Sequence, residues 1–202
     1  HFSRALDVTG DPQDQSTVPH PRIGFFGVID ERSDLELLLD VAEMRPDWHF
    51  IMIGPVVKIA ESDLPRIENI HYLGGKEYRE LPEYIGTWDV AMMPFALNES
   101  TKFISPTKTP EYLAAGLPVV ATPIRDVVRP YGENGLVHIA SSAREFVAAI
   151  EAAMAEDADE RRIRAARFLE DMSWDKTYAA MSELIDATLA ANLESRQMAV
   201  AA

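Results

Sequence analysis

The chain has 202 residues, 47% hydrophobic and 26% charged, with a formal net charge of -14. That length and apolar content suit one domain with a buried core, and the acidic balance argues against a partner such as nucleic acid or an anionic membrane, since both need a basic surface. With no cysteine there are no disulfides or thiolate metal sites, the five His (His1, His20, His49, His71, His138) lack metal-ligand spacing, no apolar run reaches the roughly 18 residues of a membrane helix, and nothing resembles a signal peptide.

The sequence opens at His1 with a polar, irregular tract through Pro21, punctuated by Asp7, Gly10, Asp11, Pro12, Pro19 and Pro21. Residues 1–21 read as a linker or tail, and the opening as that of a fragment of a longer protein. Arg22–Val28 is a short apolar strand ending near Gly27. Asp30–Asp34 is a charged turn, after which Leu35, Leu38, Leu39, Val41 and Ala42 mark an amphipathic helix to about Met44. His49–Ile53 is a second buried strand, ending in Gly54-Pro55. A loop with Lys58 follows, and a strand at Ile70–Leu73 leads into Gly74-Gly75. Tyr78–Gly86 reads as a short helix with Pro82 in its first turn. Asp89–Met93 is another strand, closed by Pro94-Phe95, and the loop Ala96–Ile104 follows it. Leu117–Thr122 and Leu136–Ile139 are the last two strands. Ser142 and Glu145 form a capping box before an amphipathic helix. Asp157–Asp171 is a charged helix whose arginines read as a solvated face. Ser173 caps a final helix with Trp174, Tyr178, Met181, Ile185 and Leu189 on one side.

Short apolar strands alternating with helices, each strand closed by Gly or Pro, predict an α/β fold. The expected architecture is a Rossmann-like, doubly wound parallel sheet of about six strands with helices on both faces. It spans residues 22–172, and residues 173–202 form a closing helix and tail. Ligands of such sheets bind beyond the carboxyl ends of the strands. The loops to read are therefore Gly27–Asp34, Gly54–Lys58, Gly74–Tyr78 and Pro94–Lys108.

The stretch Ser105–Thr122 is the most informative. Pro110 is tolerated only in the first turn of a helix, which favours Thr107 or a neighbour as the N-cap. Gly116 then stops the helix. Lys108 and Glu111 are three apart and share a face of the first turn. A helix start with a Lys and a carboxylate suits a sugar nucleotide: phosphates for the dipole and the Lys, ribose hydroxyls for the Glu. The same spacing also suits a surface Lys–Glu pair beside an ordinary cap.

The run Pro106-Thr107-Lys108-Thr109-Pro110-Glu111-Tyr112-Leu113-Ala114-Ala115-Gly116-Leu117-Pro118 resembles the nucleotide-sugar-binding motif of GT-B glycosyltransferases of the family 4, or group 1, type. Gly24-Phe25-Phe26-Gly27, Ile51-Met52-Ile53-Gly54, Ile70-His71-Tyr72-Leu73-Gly74 and Asp89–Pro94 resemble its other segments, in the expected order, as does Ser173-Trp174-Asp175 at the closing helix. The resemblance implies the C-terminal, donor-binding half of such an enzyme. Glu111 would hold the donor ribose. Lys108 and Arg32 would be the phosphate-side catalytic cations. Backbone around Ile104, Ser105 and Thr107 would complete the anion site, Gly27 and Gly54 would let the backbone approach the nucleotide, and the loop from Gly74 to Leu81 would hold the base near Lys76. Two positions depart from the family pattern: Phe103 stands where a paired glutamate is common, and Val28 where an Arg is common.

The implied function is transfer of a sugar from a nucleoside diphosphate sugar, such as a UDP-sugar, in cell-surface polysaccharide or glycolipid synthesis. No metal or other cofactor is expected, in keeping with the lack of an Asp-x-Asp motif. The implied partners are the nucleotide-sugar donor and an N-terminal acceptor-binding domain, through which a membrane could be touched peripherally. Lack of cysteine fits a reducing cytoplasm. The open alternatives are one half of a nucleotide-sugar epimerase of the same shape, or a non-catalytic module, either a degenerate GT-B half or a flavodoxin-like interaction domain.

Overall fold

Runs such as Ile23–Phe26 and Phe50–Ile53 lack polar alternation, as strands covered on both faces do. In the computed structural model these runs form a six-stranded parallel sheet. The structure describes residues 1–170, Met172 and 174–201, with side chains through Ala191 except that of Trp174. The strands are β1 (Arg22–Phe26), β2 (His49–Ile53), β3 (Ile70–Gly74), β4 (Val90–Met93), β5 (Val119–Ala121) and β6 (His138–Ile139). Their spatial order is β3-β2-β1-β4-β5-β6, and every pairing is parallel. The helices are α1 (Leu35–Met44), α2 (Leu81–Ile85), α3 (Lys108–Ala114), α4 (Arg125–Val127), α5 (Ala143–Met154), α6 (Ala158–Leu169) and α7 (Trp174–Ala201). Helix α1 packs beside α5, which also meets β4, β5 and β6, while α2 and α3 flank a 3-10 helix at Phe2–Asp7.

The expected elements are present, with tighter bounds. The helix read from Tyr78 begins at Leu81, with Pro82 in its first turn as expected, and this leaves Tyr78 in the loop. Asp34 caps α1 by accepting the Leu37 N–H at 2.9 Å. Ser142 caps α5, but Glu145 turns its carboxylate to the N–H and hydroxyl of Ser141 (2.8 and 2.7 Å), so the capping box is displaced by one residue. Trp48 and Trp88 are core residues.

Two expectations change. Residues 1–21 are polar in sequence but are stitched to the sheet rather than loose. Phe2 and Ala5 are buried in the 3-10 helix. Gln15 is fully buried, donating to the Thr87 hydroxyl (2.6 Å) and accepting from the Trp88 indole N–H (2.9 Å). The buried Arg22 guanidinium forks onto Asp11 and donates to the Val18 carbonyl at 2.6 Å. Gln15 and Asp11 of this tract thus serve the buried Trp88 and Arg22 side chains. Nor is every arginine of α6 solvated: Arg161 reaches the Gly116 carbonyl at 3.0 Å, satisfying a group left open where α3 ends.

His1–Ala165 form one compact unit and Ala166–Ala202 a second. In the second unit, α7 leaves Tyr178, Met181, Ile185 and Leu189 exposed. Ser173, read as its cap, lies outside the described residues.

Candidate functional site

The winding direction of the sheet reverses between β1 and β4, and ligands of doubly wound sheets bind in the crevice opened there. Two glycines shape this end of the sheet. Gly27 and Gly54 take φ of 142° and 146°, a region side chains rarely adopt. A Cβ on Gly54 would stand 1.8 Å from the Gly27 carbonyl oxygen, and one on Gly27 would stand 2.3 Å from Cε of Lys108. The absent side chains let the end of β2 close against β1 and let Lys108 lie across the end of β1.

Helix α3 is held by its buried side. The Tyr112 hydroxyl accepts the Phe26 N–H at 3.0 Å, and Thr109 contacts the Met93 sulfur at 3.7 Å, anchoring α3 to β1 and β4. That leaves Lys108 and Glu111 on the crevice side of its first turn. Lys108 Nζ stands 5.6 Å above the Phe25 ring. Burial pulls the Lys108 pKa down, against the favourable charge of Glu111. Burial pushes the Glu111 pKa up, against the favourable charge of Lys108. Neither side chain forms an ion pair or side-chain hydrogen bond with another described residue. Thr107 occupies the N-cap position without a side-chain cap bond. Ser105 and Thr107 are exposed and Ile104 half-buried, so these three frame the entrance to α3.

Arg32, read as a phosphate-facing cation, is occupied. Its guanidinium grips Asp30 through Nε (2.9 and 3.0 Å) and through a terminal nitrogen (2.6 Å). Asp30 is 2% exposed. Burial alone would raise its pKa, but the Arg32 hydrogen bonds and charge, with Lys58, hold it below the ordinary value. The sequence reading missed Asp30 as Arg32's partner; the only signal was their spacing of two in a charged turn. The loop after β4 is also more ordered than its polar composition implies. Asn98 accepts the N–H groups of Ser100 and Thr101 and donates to the Glu31 carbonyl at 3.2 Å, joining this loop to the Arg32 turn. Beyond it, Phe103 is 75% exposed.

On the β3 side, Lys76 pairs with Asp14 at 2.5 Å, and Asp14 also accepts the Tyr84 hydroxyl at 2.8 Å. The Lys76 side chain thus ties the β3–α2 loop to the opening tract. Leu81 begins α2 with its side chain buried, leaving only its backbone to offer a ligand. Gly27, Gly54 and Lys108 therefore meet at the ends of β1 and β2, with Glu111 beside Lys108 on α3, while Lys76 lies in the loop after β3 and Leu81 at the start of α2. A cavity of about 350 Å³ lies elsewhere, lined by His20, Asp89 and Arg161.

Comparisons with known proteins bear on this geometry. The family model described as glycosyl transferases group 1 matches residues 20–156. The Bacillus subtilis protein named "Putative teichuronic acid biosynthesis glycosyltransferase TuaH" is 28% identical over 150 residues, covering 68% of this chain and 36% of that protein. Among solved structures, Anabaena Alr3699/HepE in complex with UDP superposes with a TM-score of 0.69 at 14% identity, covering 83% of this chain and 49% of that one. The same protein in complex with UDP and glucose gives 0.58 at 17% identity, covering 96% and 54%. The structural likenesses establish the fold. The chain spans 36% of the length of the curated relative and about half that of HepE.

Proposed function

The chain belongs to the glycosyl transferases group 1 family, and from that premise we propose that it is the donor-binding part of an enzyme that moves a sugar from a nucleoside diphosphate sugar to an acceptor. One observation carries the reading: Lys108 and Glu111 are neighbouring half-buried charges on the first turn of α3 that form no ion pair or side-chain hydrogen bond with another described residue. A buried charge without a partner is costly, and a nucleotide would relieve both. The diphosphate takes Lys108 and the ribose hydroxyls donate to Glu111. Gly27 and the backbone from Ile104 to Thr107 line the phosphate approach, and the β3–α2 loop holds the base.

Catalysis in this reading is positioning plus electrostatic stabilisation of the departing nucleoside diphosphate. Lys108 supplies the principal charge and needs no metal beside it. Arg32 acts more weakly, because Asp30 already balances it. The HepE complexes with UDP and with UDP and glucose support a nucleotide-sugar donor. A role in cell-surface polysaccharide or glycolipid synthesis fits the teichuronic acid wording of the relative's name. Since the chain spans 36% of that relative, we expect it to bind nucleotide without transferring sugar, the acceptor side coming from an N-terminal domain.

Calorimetric titration with UDP and with GDP tests the reading. At least one should bind, and Glu111→Ala or Lys108→Ala should weaken it about tenfold or more, the scale of a hydrogen bond to a charged group. Failure of both nucleotides to bind, or variants that bind like the parent, would sink it. The exposed Phe103, in place of a second glutamate, favours one other reading, a non-catalytic nucleotide-binding module. Donor hydrolysis by a longer form of the protein separates the two, since an inert protein that still binds nucleotide is a module. The same assay would expose an epimerase by its altered sugar.

A further inference from the structure

A carboxylate buried beside a site for an anion is out of place on charge alone, and Asp30 is one. Its side chain is 3% exposed, in the turn that follows β1. Both of its oxygens are engaged by one residue. Oδ1 accepts the Arg32 backbone N–H at 3.0 Å and Nε at 2.9 Å, while Oδ2 accepts Nε at 3.0 Å and Nη2 at 2.6 Å. The turn itself is seated on the segment after β4. Asp34 donates its N–H to the Pro94 carbonyl and Ala96 donates to the Arg32 carbonyl, both at 2.8 Å, and Ser33 bridges Phe95. Since β1 and β4 flank the reversal of the sheet, the turn stands over the crevice. Burial and then the Arg32 charge pull the Lys108 pKa down, while the charges of Glu111 and Asp30 oppose them, so the Asp30–Arg32 pair lies within electrostatic range of Lys108.

A guanidinium carries its N–H donors in a rigid plane with more than one usable edge. Asp30 takes the edge formed by Nε and Nη2. The protons of Nη1 and the second proton of Nη2 make no hydrogen bond with a described residue, and the Arg32 side chain is 39% exposed. These donors form a second fork, of the shape that phosphate oxygens accept in pairs. An arginine on a free stem samples many rotamers and loses that freedom when a ligand stops it. We propose that Asp30 is a positioning residue: it holds Arg32 by the inner edge so that the outer fork stands ready for two oxygens of the donor diphosphate beside Lys108. This rests on the reading of Lys108 and Glu111 as the donor site. With its charge balanced by Asp30, Arg32 contributes directed hydrogen bonds, and Lys108 remains the net positive charge of the crevice.

The test is a double-mutant cycle read by calorimetric titration of this chain with UDP, GDP and inorganic pyrophosphate. Repulsion from the Asp30 charge acts on an anion whether or not Arg32 is present, whereas positioning needs Arg32. Where Arg32→Ala has removed the guanidinium, Asp30→Asn should leave affinity unchanged or tighter. With Arg32 in place, the same substitution should be about two- to tenfold less favourable than that, the effect of having to stop one long side chain. Arg32→Lys keeps the charge but cannot fork to Asp30 and to phosphate at once, and should weaken binding about two- to tenfold. Pyrophosphate should show the same coupling as the nucleotides, because the outer fork meets phosphate oxygens. An Asp30→Asn effect equal in both backgrounds, or Arg32→Lys binding like the parent, overturns the positioning role. So does coupling seen with a nucleotide but not with pyrophosphate. If one of these occurs while Glu111→Ala still weakens nucleotide binding, the donor site stands and only the positioning falls. If neither nucleotide binds the parent chain, both fall together. Should Asp30→Asn fail to fold, as thermal melting would show, Arg32→Lys decides the matter, since it leaves the buried carboxylate a cation.

Discussion

Lys108 is a charge that the fold holds at a cost. Burial lowers its pKa and raises that of Glu111, so in each the charged form is worth less in the folded chain than in the unfolded one. The signs follow by linkage. For Lys108, stability is gained as pH rises from its depressed folded value to the ordinary lysine value. For Glu111, stability is lost as pH rises from the ordinary value to the raised folded one. Between those windows both penalties stand. Lys108→Met should therefore raise the melting temperature, by ~2–4 °C for each kcal/mol regained in a chain of this size, while nucleotide binding is lost. A lower melting temperature in that variant would show that the amine stabilises the fold. In the parent chain, nucleotide affinity should fade on the alkaline side at a lower pH than an ordinary lysine would set. Lys108→Arg, charged throughout, should bind without that fade; titrations across alkaline pH check both.

At the scale of elements, the opening tract is a component of the sheet's support. Gln15→Ala strands the Trp88 indole N–H in the core, and should cost about 1–3 kcal/mol in urea denaturation. A loss no larger than that of an exposed polar substitution would mean the tract is loosely held. This region also marks the limit of what sequence could tell. The strands were legible because Ile23–Phe26, Phe50–Ile53 and Val90–Met93 are uninterrupted apolar runs, and α3 because Pro110 and Gly116 fix its ends. The tract was not, because Asp14 and Gln15 meet partners 62 to 73 residues away and their polarity looks the same whether they face water or a buried donor. At the site, the spacing of Lys108 and Glu111 announced their shared face. The pairing of Arg32 with Asp30 was hidden, since a charged turn does not say which charges are already balanced.

Over the whole molecule, the net charge is -14, although the crevice is proposed to take an anion. The cations that face it must therefore be local and sheltered from solvent, as Lys108 is. Among the described residues no group of three or more His, Asp or Glu could hold a metal ion. If Lys108 carries the phosphate charge as proposed, UDP affinity should be the same in excess EDTA and in excess Mg2+, by calorimetry; an affinity that collapses in EDTA would assign the charge to an ion instead. Also among the described residues, no helix is long and apolar enough to cross a membrane. The sheet order itself was foreseeable only in outline, because alternation of strands and helices predicts a parallel sheet but not where its winding reverses. Finally, the hydrogen bond from the Trp88 indole to Gln15 turns an architectural detail into an optical one. A tryptophan bonded to the opening tract emits according to whether that tract is seated, and Asp14, next to Gln15, grips the loop proposed to hold the base. With Trp48 and Trp174 replaced by phenylalanine, the protein carries its own label for that coupling.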